Sequence, residues 1–285
     1  MAEVLMRGAE VNESMKERMV KQVELLKEKG VKPVINIVRV GSRGDDLAYE
    51  KGARKRMESV GIEMRVTEVS EDISQEDFVE IFKKVNDDDS VHGIMLFRPL
   101  PEHLDESEIA GMINPAKDVD CMSPVNIAKV FMGDESGFAP CTAQAVMEML
   151  SHYEIDLTGK NVAIVGRSMV VGKPLAMLMI KKNATVTVCH TKTDDLTEKC
   201  RNADIVVAAA GKAGMITGDM LGAGAIVADV GININEEGKL CGDVDFESAE
   251  PKASYISPVP GGVGGVTSSV LASHVIRAAE ILSEI

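Results

Sequence analysis

A glycine-containing segment that follows an apolar run is where the sequence points most directly to chemistry. It contains, in order, Gly166, Arg167, Ser168, Gly172, Lys173 and Pro174. The segment comes after the predicted strand NVAIV and before a predicted helix, a position in which a glycine turn presents backbone N–H groups to a pyrophosphate. Its spacing departs from GxGxxG, because Ser168 is the second member and Gly172 comes one place late. The segment predicts a nucleotide site, with a plain tight turn as the alternative.

The end of the next predicted strand bears on which dinucleotide would bind. An acidic side chain at that position accepts hydrogen bonds from the ribose hydroxyls and repels a 2′-phosphate. Here the end reads Cys189, His190, Thr191 and Lys192, with no carboxylate, and Arg167 in the glycine turn offers countercharge. The pattern therefore favours NADP, with NAD as the alternative.

Three further stretches contain residues suited to holding a ligand. They are PLP at 99–101, KDVD at 117–120 and PVPGGVG at 258–264. So many glycines after two prolines let the backbone approach a ligand closely. Outside a known context, Asp120 in the DVD turn would be interpreted as an Asx cap, and Tyr49 on an amphipathic helix as a packing residue.

The elements that position these residues alternate along the chain. Amphipathic helices alternate with apolar runs such as PVINIVRV, IEMRVTEV, VHGIML, NVAIV and ADIVVAA, which predicts parallel sheets with covered faces. We predict an α/β protein of two domains: an N-terminal α/β substrate domain formed by residues 1–141 with 267–285, and a Rossmann-type doubly wound parallel-sheet domain formed by 142–266. The helix from Thr267 to Ile285 is expected to return to the first domain, and Ser14 with Glu17 to cap the first helix.

Composition excludes several classes of function. The formal net charge of −14 disfavours a surface for nucleic acid or anionic membranes. The five dispersed cysteines form no CxxC pair, so neither a disulfide framework nor a metal site is expected. The N-terminal residues lack a signal pattern, and no apolar run is long enough to span a bilayer, so the expected location is cytoplasmic.

Several sequence blocks follow the order of one known family. Besides Tyr49 ahead of a basic helix and the four stretches above, they are FAPCTAQAV, NATVTVCHTKT, ADIVVAAAGKAGMI, AIVADVGIN and GDVDF. Together they resemble the methylenetetrahydrofolate dehydrogenase/methenyltetrahydrofolate cyclohydrolase family, from the first helix almost to the C-terminus. The resemblance implies hydride transfer from the methylene bridge of a folate to the nicotinamide of NADP, without a metal, in a homodimer.

The same resemblance implies roles for individual residues. Tyr49 would stack on the aminobenzoate ring, Asp120 would accept hydrogen bonds from the pterin, and both count as catalytic. Substrate binding extends to Tyr49, Pro99, Leu100, Asp120, Pro260, Gly261 and Gly262. Cofactor binding is assigned to Gly166, Arg167, Ser168, Gly172, Lys173, Pro174, His190, Thr191, Ala210, Gly211, Gly231, Ile232 and Thr267.

The sequence departs from the family at the residues expected to activate water. Where most members have a lysine four residues after the tyrosine, this chain has Ala53. The usual glutamine before PLP is Phe97, a serine three residues before the tyrosine is Asp46, and the Pro-Met after PGGVG is Gly265-Val266. Because a general acid–base group contributes about a hundred- to ten-thousand-fold, we expect the cyclohydrolase activity to be weak or lost.

Two lysines and an arginine near position 53 are the possible substitutes for the missing lysine. Lys51 and Lys55 are rotated by about 200° from the face of Ala53 and are expected in solvent. Arg98 is a poor base because its guanidinium does not readily lose a proton. A bifunctional enzyme, a non-catalytic folate or nucleotide sensor, and another Rossmann dehydrogenase of the amino-acid or shikimate type remain the alternatives.

Overall fold

A computed structural model describes residues 2–285. The chain forms two parallel sheets, one short antiparallel pair of strands and the helices that connect the strands. The strands are β1 Val4–Leu5, β2 Val34–Val40, β3 Glu63–Val69, β4 Gly93–Leu96, β5 Asn161–Val165, β6 Thr185–Cys189, β7 Ile205–Ala208, β8 Ala225–Asp229, β9 Asn233–Ile234, β10 Leu240–Cys241 and β11 Ala253–Ile256. The helices are α1 Gly8–Glu28, α2 Gly44–Val60, α3 Gln75–Asn86, α4 Glu106–Met112, α5 Pro124–Met132, α6 Cys141–His152, α7 Gly172–Lys181, α8 Leu196–Arg201, α9 Phe246–Ala249 and α10 Thr267–Leu282.

One of the two compact units, here the three-stranded unit, consists of Ser14–Cys141 and Ser268–Ile285. Its sheet has the order β3-β2-β4 with all strands parallel, and Ile37 of β2 is in register with Val66 and Met95. Every residue of β2 is buried, as expected for a central strand. Phe78 and Phe82 of α3 pack into the core against this sheet.

The other unit, here the six-stranded unit, consists of the residues through Glu13 and Thr142–Thr267. Its strand order is β1-β11-β8-β7-β5-β6, and every pairing is parallel. Parallel neighbours out of sequence order require crossover connections, and α7 packs on β5 and β6 as one of them. This is the doubly wound α/β architecture that the sequence predicts.

The N-terminus differs from the predicted domain limits, which placed all of residues 1–141 in the first domain. Strand β1 pairs with β11, so that Val4 is in register with Tyr255, and the residues through Glu13 belong to the six-stranded unit. The predicted Ser14 cap is also wrong, because α1 already begins at Gly8, whose N–H donates to the Gly261 carbonyl. Within residues 2–285 no helix is long and apolar enough to cross a membrane.

Candidate functional site

Helix α2 presents Tyr49 to the interior of the three-stranded unit. The Tyr49 and Phe97 rings meet edge to face, with centroids 5.6 Å apart and planes at 85°. The Tyr49 hydroxyl is buried without a hydrogen-bond partner, although part of the residue remains accessible. Burial is the main reason that the pKa of Tyr49 is raised well above its usual value, and electrostatic interaction with Cys141 and Asp120 adds to the shift. A buried hydroxyl without a partner is uncommon and marks a position where a ligand group would be accommodated.

The position that follows Tyr49 by one helical turn is closed to solvent. Ala53 is 0% exposed, on the same face of α2 as Met57 and Val60. Lys51 and Lys55 are exposed, which confirms that they point away from this face. No lysine of α2 therefore faces the interior beside Tyr49.

The two aspartates of the KDVD stretch have different surroundings. The carboxylate of Asp118 accepts hydrogen bonds from the N–H groups of Met122 and Ser123, each at 2.9 Å, and from the Asn126 amide at 2.8 Å. Asp118 thus organises the turn that leads into α5. Asp120 accepts a 2.9 Å bond from the Cys141 N–H and interacts electrostatically with Tyr49. Asp118 thus serves the turn before α5, while Asp120 accepts the N–H of the first residue of α6, so the capping interpretation of Asp120 stays open beside the pterin role.

Burial changes the protonation of both aspartates. It raises the pKa of Asp120, while the N–H and thiol of Cys141 and the charge of Arg98 oppose the shift. It also raises the pKa of Asp118, against the N–H donors of the turn. Asp120 is therefore a desolvated carboxyl group beside an aromatic ring, suited to accepting hydrogen bonds from a planar heterocycle.

Two residues that the sequence did not single out hold the backbone beside Asp120. The thiol of Cys141 donates to the Val119 carbonyl at 3.3 Å, and Nδ1 of His274 lies 2.9 Å from the same oxygen. Desolvation lowers the pKa of His274 to about 4, so the ring is neutral at pH 7. His274 lies on α10, and Phe138 packs on its ring at 5.3 Å. The final helix therefore returns to the three-stranded unit, as predicted.

Charged groups surround the PLP stretch. Arg43 forms two 3.0 Å hydrogen bonds with Asp46, the residue found in place of the expected serine. Arg98 pairs with Glu106 at 3.3 Å, so its guanidinium is already engaged by a carboxylate. Pro99 is exposed and Leu100 half-buried, and the Arg98–Pro99 bond is cis.

In the six-stranded unit, the predicted cofactor residues follow the carboxyl ends of four neighbouring strands. Gly166 follows β5, His190 follows β6, Ala210 lies just beyond β7, and Gly231 lies just beyond β8. Because these strands are parallel, their ends lie at one edge of the sheet, which is where doubly wound folds bind nucleotides.

The glycine turn at this edge is tightly packed. A Cβ added to Gly166 would lie 2.0 Å from the Ala209 carbonyl oxygen, and one added to Gly172 would lie 2.0 Å from the Gly166 carbonyl oxygen. Gly166 also has φ of 136°, a conformation that favours glycine. Helix α7 begins at Gly172, and Pro174 fits its first turn. Arg167, Ser168 and Lys173 are exposed around the turn, so backbone N–H groups and two cations are available to an anion.

Hydrogen bonds from backbone N–H groups to side chains of the same loop organise the loop after β6. The His190 N–H donates to Thr193 Oγ1 at 2.8 Å, and His190 Nδ1 accepts from the Lys192 N–H at 3.1 Å. The ring proton of His190 is therefore on Nε2 in the neutral form. Thr191 and Lys192 are exposed, and the first residues of the loop, His190 to Lys192, include no carboxylate that would repel a phosphate.

The glycine-rich stretch follows β11, at the same edge of the six-stranded sheet. Pro260 and Gly261 are exposed and Gly262 is buried, with Thr267 buried at the start of α10. A Cβ on Gly262 would lie 2.4 Å from the Pro258 carbonyl oxygen. The predicted substrate residues are thus divided: Tyr49, Pro99, Leu100 and Asp120 belong to the three-stranded unit, and Pro260 to Gly262 to the six-stranded unit.

Sequence reasoning missed the residues whose hydrogen bonds hold the backbone of the candidate site. In the three-stranded unit these are Cys141 and His274. In the six-stranded unit they are Asp229 and Asp243, whose carboxylates accept hydrogen bonds from backbone N–H groups of the loops after β7 and β8. Only the GDVDF block signalled Asp243, and it did so without a role. Among residues 2–285 there is no group of three or more His, Cys, Asp or Glu placed to hold a metal ion.

Comparisons with known proteins identify the same family for the N-terminal and the C-terminal part of the chain. Residues 6–120 match the model of the tetrahydrofolate dehydrogenase/cyclohydrolase catalytic domain, and residues 140–283 match that of the NAD(P)-binding domain of the same family. The chain is 51% identical to the bifunctional protein FolD of Clostridioides difficile strain 630, over 97% of this chain and 96% of the relative.

Solved structures give the same result. The bifunctional methylenetetrahydrofolate dehydrogenase/cyclohydrolase of Campylobacter jejuni superposes with a TM-score of 0.95 at 41% identity, covering 98% of this chain and 99% of the other. The Trypanosoma brucei dehydrogenase-cyclohydrolase, solved with NADP and an inhibitor, gives 0.93 at 34% identity, covering 99% of each chain.

Proposed function

Because the chain belongs to the tetrahydrofolate dehydrogenase/cyclohydrolase family, we propose that it oxidises 5,10-methylenetetrahydrofolate to 5,10-methenyltetrahydrofolate with NADP. The observation that carries the proposal is the surroundings of Tyr49. Its buried hydroxyl has no partner, its ring meets the Phe97 ring edge to face, and it interacts electrostatically with the Asp120 carboxyl group. These are an aromatic surface and an acceptor of the kind that a pterin with an aminobenzoate ring requires.

The residues of the chain bind and orient the substrate in this proposal. Tyr49 offers its ring to the aminobenzoate group, and Asp120, held by the Cys141 N–H, accepts hydrogen bonds from the pterin. The nicotinamide, when bound, accepts the hydride. Since the nitrogen of the folate stabilises the developing cation, no side chain has to move a proton in that step, and proximity supplies most of the catalysis.

Three features support NADP as the dinucleotide. The glycine turn has backbone so closely packed that no Cβ fits at Gly166 or Gly172. Arg167 and Lys173 are exposed beside it. The loop after β6 presents His190 and Thr191 in place of a carboxylate, which leaves room and hydrogen-bond donors for a 2′-phosphate. The relative from Trypanosoma brucei was solved with NADP.

The second activity is where the comparisons and the residues differ. The relatives from Clostridioides difficile and Campylobacter jejuni are both described as bifunctional. They support the bifunctional alternative better than the expected weak or lost cyclohydrolase. The expected loss is favoured by one observation, the buried Ala53 beside Tyr49. In a bifunctional enzyme, a group other than residue 53 would assist the attack of water.

A single assay separates these two candidate functions. The pure protein is incubated with methylenetetrahydrofolate and NADP, and the near-ultraviolet absorbance of the methenyl product is followed. Decay faster than in buffer supports the bifunctional enzyme, and persistence supports a dehydrogenase alone. No product with either NADP or NAD, together with tight folate binding, would overturn both and leave the sensor.

Variants at position 53 identify the reason for either outcome. Ala53→Lys restores the family residue, and Ala53→Met adds similar length without charge as the matched control. Because Phe97 occupies the place of the usual glutamine, the double variant Ala53→Lys, Phe97→Gln completes the series. If only the lysine variants accelerate hydrolysis, residue 53 limits the reaction. If none does, Asp46 and its partner Arg43 also matter.

The homodimer and the cytoplasmic location remain predictions.

A further inference from the structure

Two buried aspartates lie beneath the loops that follow β7 and β8. Asp229 ends β8 and is 3% exposed, and Asp243 lies in the GDVDF block and is 0% exposed. Neither is among the residues assigned to substrate or cofactor. Two carboxylates so close together in a protein interior require donors, because a buried charge without hydrogen bonds is strongly destabilising.

Asp243 supplies hydrogen-bond acceptors to both loops at once. Its Oδ2 accepts from the N–H groups of Ala210 at 2.5 Å and Gly211 at 2.8 Å. Its Oδ1 accepts from the Lys212 N–H and from the Asn233 side-chain amide, each at 2.8 Å. One carboxylate therefore fixes three successive residues after β7 and a side chain after β8.

Asp229 holds Asp243 in turn. Its Oδ1 accepts from the N–H groups of Gly231 at 2.9 Å and Asp243 at 3.0 Å, and its Oδ2 accepts from the Val244 N–H at 3.0 Å. Burial raises the pKa of Asp229 to about 6, and these N–H groups oppose the shift. The carboxylate thus ties the loop after β8 to the strand-like segment that carries Asp243.

The surrounding glycines are required by this arrangement. A Cβ on Gly231 would lie 2.3 Å from the carboxyl carbon of Asp243, and one on Gly242 would lie 1.8 Å from Asp229 Oδ2. Each aspartate is therefore packed directly against the main chain of the segment that it holds. Such close packing restricts the backbone of these segments.

The pair has a directional effect besides its contribution to stability. Removal of either carboxylate would leave buried backbone N–H groups without acceptors, which lowers stability, so the experiment has to separate stability from positioning. The hydrogen bonds to the carboxylate of Asp243 fix the orientation of the Ala210–Lys212 backbone and of the Asn233 side chain. The residues proposed to contact the cofactor lie in the same two loops: Ala210 and Gly211 follow β7, and Gly231 and Ile232 follow β8.

We propose that Asp243 is a positioning residue for the nucleotide cofactor, which it supports without contact by fixing the loops after β7 and β8 in a single arrangement. The inference rests on the proposed NADP site. Loss of one of its hydrogen bonds displaces the loops relative to each other, and a displacement of about 1 Å at a reacting centre lowers rates on the order of a hundredfold.

The test compares Asp243→Asn with Asp245→Asn. The first keeps the shape but turns an amide NH₂ toward backbone donors, and the second makes the same charge change two residues away. For each protein, the Kd for NADP is measured by calorimetry without folate, and the KM values for NADP and methylenetetrahydrofolate are measured separately. We expect Asp243→Asn to raise the Kd and the KM for NADP by about tenfold or more, with the folate KM within about twofold of wild type.

The outcomes distinguish the two proposals. A role in folding alone would lower the amount of active enzyme but leave the Kd of the folded fraction unchanged, and that result overturns the inference. Should Asp243→Asn fail to fold, Asn233→Ala removes only one partner of Asp243, and an unchanged Kd for that variant likewise overturns it. If the wild-type protein binds neither NADP nor NAD, the proposed function fails and this inference fails with it.

Discussion

Nδ1 of His274 and the carbonyl oxygen of Val119 are 2.9 Å apart, and Val119 immediately precedes Asp120. A carbonyl oxygen only accepts hydrogen bonds, so the proton of the neutral imidazole is on Nδ1. The final helix of the chain therefore fixes the backbone that carries the carboxyl group proposed to bind the pterin.

Acidification is expected to destabilise the protein through His274. The pKa is about 4 in the folded state and about 6.5 in the unfolded chain. Between these values the unfolded state binds more protons, so the free energy of unfolding falls as the pH falls through the window. From pH 7 to pH 5 this amounts to about 2 kcal/mol. His274→Asn, which keeps a donor without titrating, should lose this share of the pH dependence in urea unfolding.

The matched control is His103→Asn, which makes the same substitution at an exposed histidine. Because Asp229 has a raised pKa and therefore contributes with the opposite sign, the quantity to compare is the difference between variant and wild type at each pH. A His274→Asn curve parallel to wild type from pH 7 to pH 5 would contradict a buried neutral histidine.

Removal of the Tyr49 hydroxyl is expected to separate stability from binding. The hydroxyl has no partner in the free protein, so Tyr49→Phe should leave the free energy of unfolding unchanged or raise it by up to about 1 kcal/mol. If a folate group satisfies the hydroxyl, the folate KM should increase by about three- to tenfold with the NADP KM unchanged.

Tyr153→Phe provides the contrast, because the Tyr153 hydroxyl accepts from the Arg7 N–H at 2.6 Å. That variant should lose about 1 kcal/mol of unfolding free energy. Equal losses in the two variants, measured by denaturant titration, would argue that Tyr49 already has a partner in the free protein.

Substitution of Gly172 should damage the glycine turn. A Cβ at this position would lie 2.0 Å from the Gly166 carbonyl oxygen, a backbone atom that cannot move aside. We expect Gly172→Ala to lower the free energy of unfolding by about 2 kcal/mol or more and to weaken NADP binding. A thermal melt with and without NADP measures both.

Gly52 of α2 is the control for a glycine without such contacts. A Cβ there meets nothing within 4 Å, so Gly52→Ala should stabilise the helix by about 0.5–1 kcal/mol. If both alanine variants shift the melting temperature in the same direction, close packing of the turn does not explain the effect of Gly172→Ala.

The order of strands and helices could be predicted from the sequence because it depends on local patterns. The apolar runs of β2 and β5 and the cap of α2 at Gly61, which has φ of 82°, each result from the residues at that place. The glycine turn was likewise predictable, because closely packed backbone there requires glycine at Gly166 and Gly172.

What could not be predicted depends on partners distant in sequence. Strand β1 has two residues and no pattern of its own, and it is a strand only because Val4 pairs with Tyr255. Asp118 and Asp120 are chemically identical in the KDVD stretch, and only their neighbours in the fold distinguish the turn former from the residue proposed to bind the pterin. The role of His274 depends on a carbonyl 155 residues earlier.

The short strand β1 also constrains the order in which the protein can mature on the ribosome. Domains usually fold as units while synthesis proceeds from the N-terminus. Here the first strand made waits for β11, which ends at Ile256, and the three-stranded unit waits for Ser268–Ile285. A nascent chain arrested before β11 has emerged would therefore contain two unfinished units rather than one folded domain.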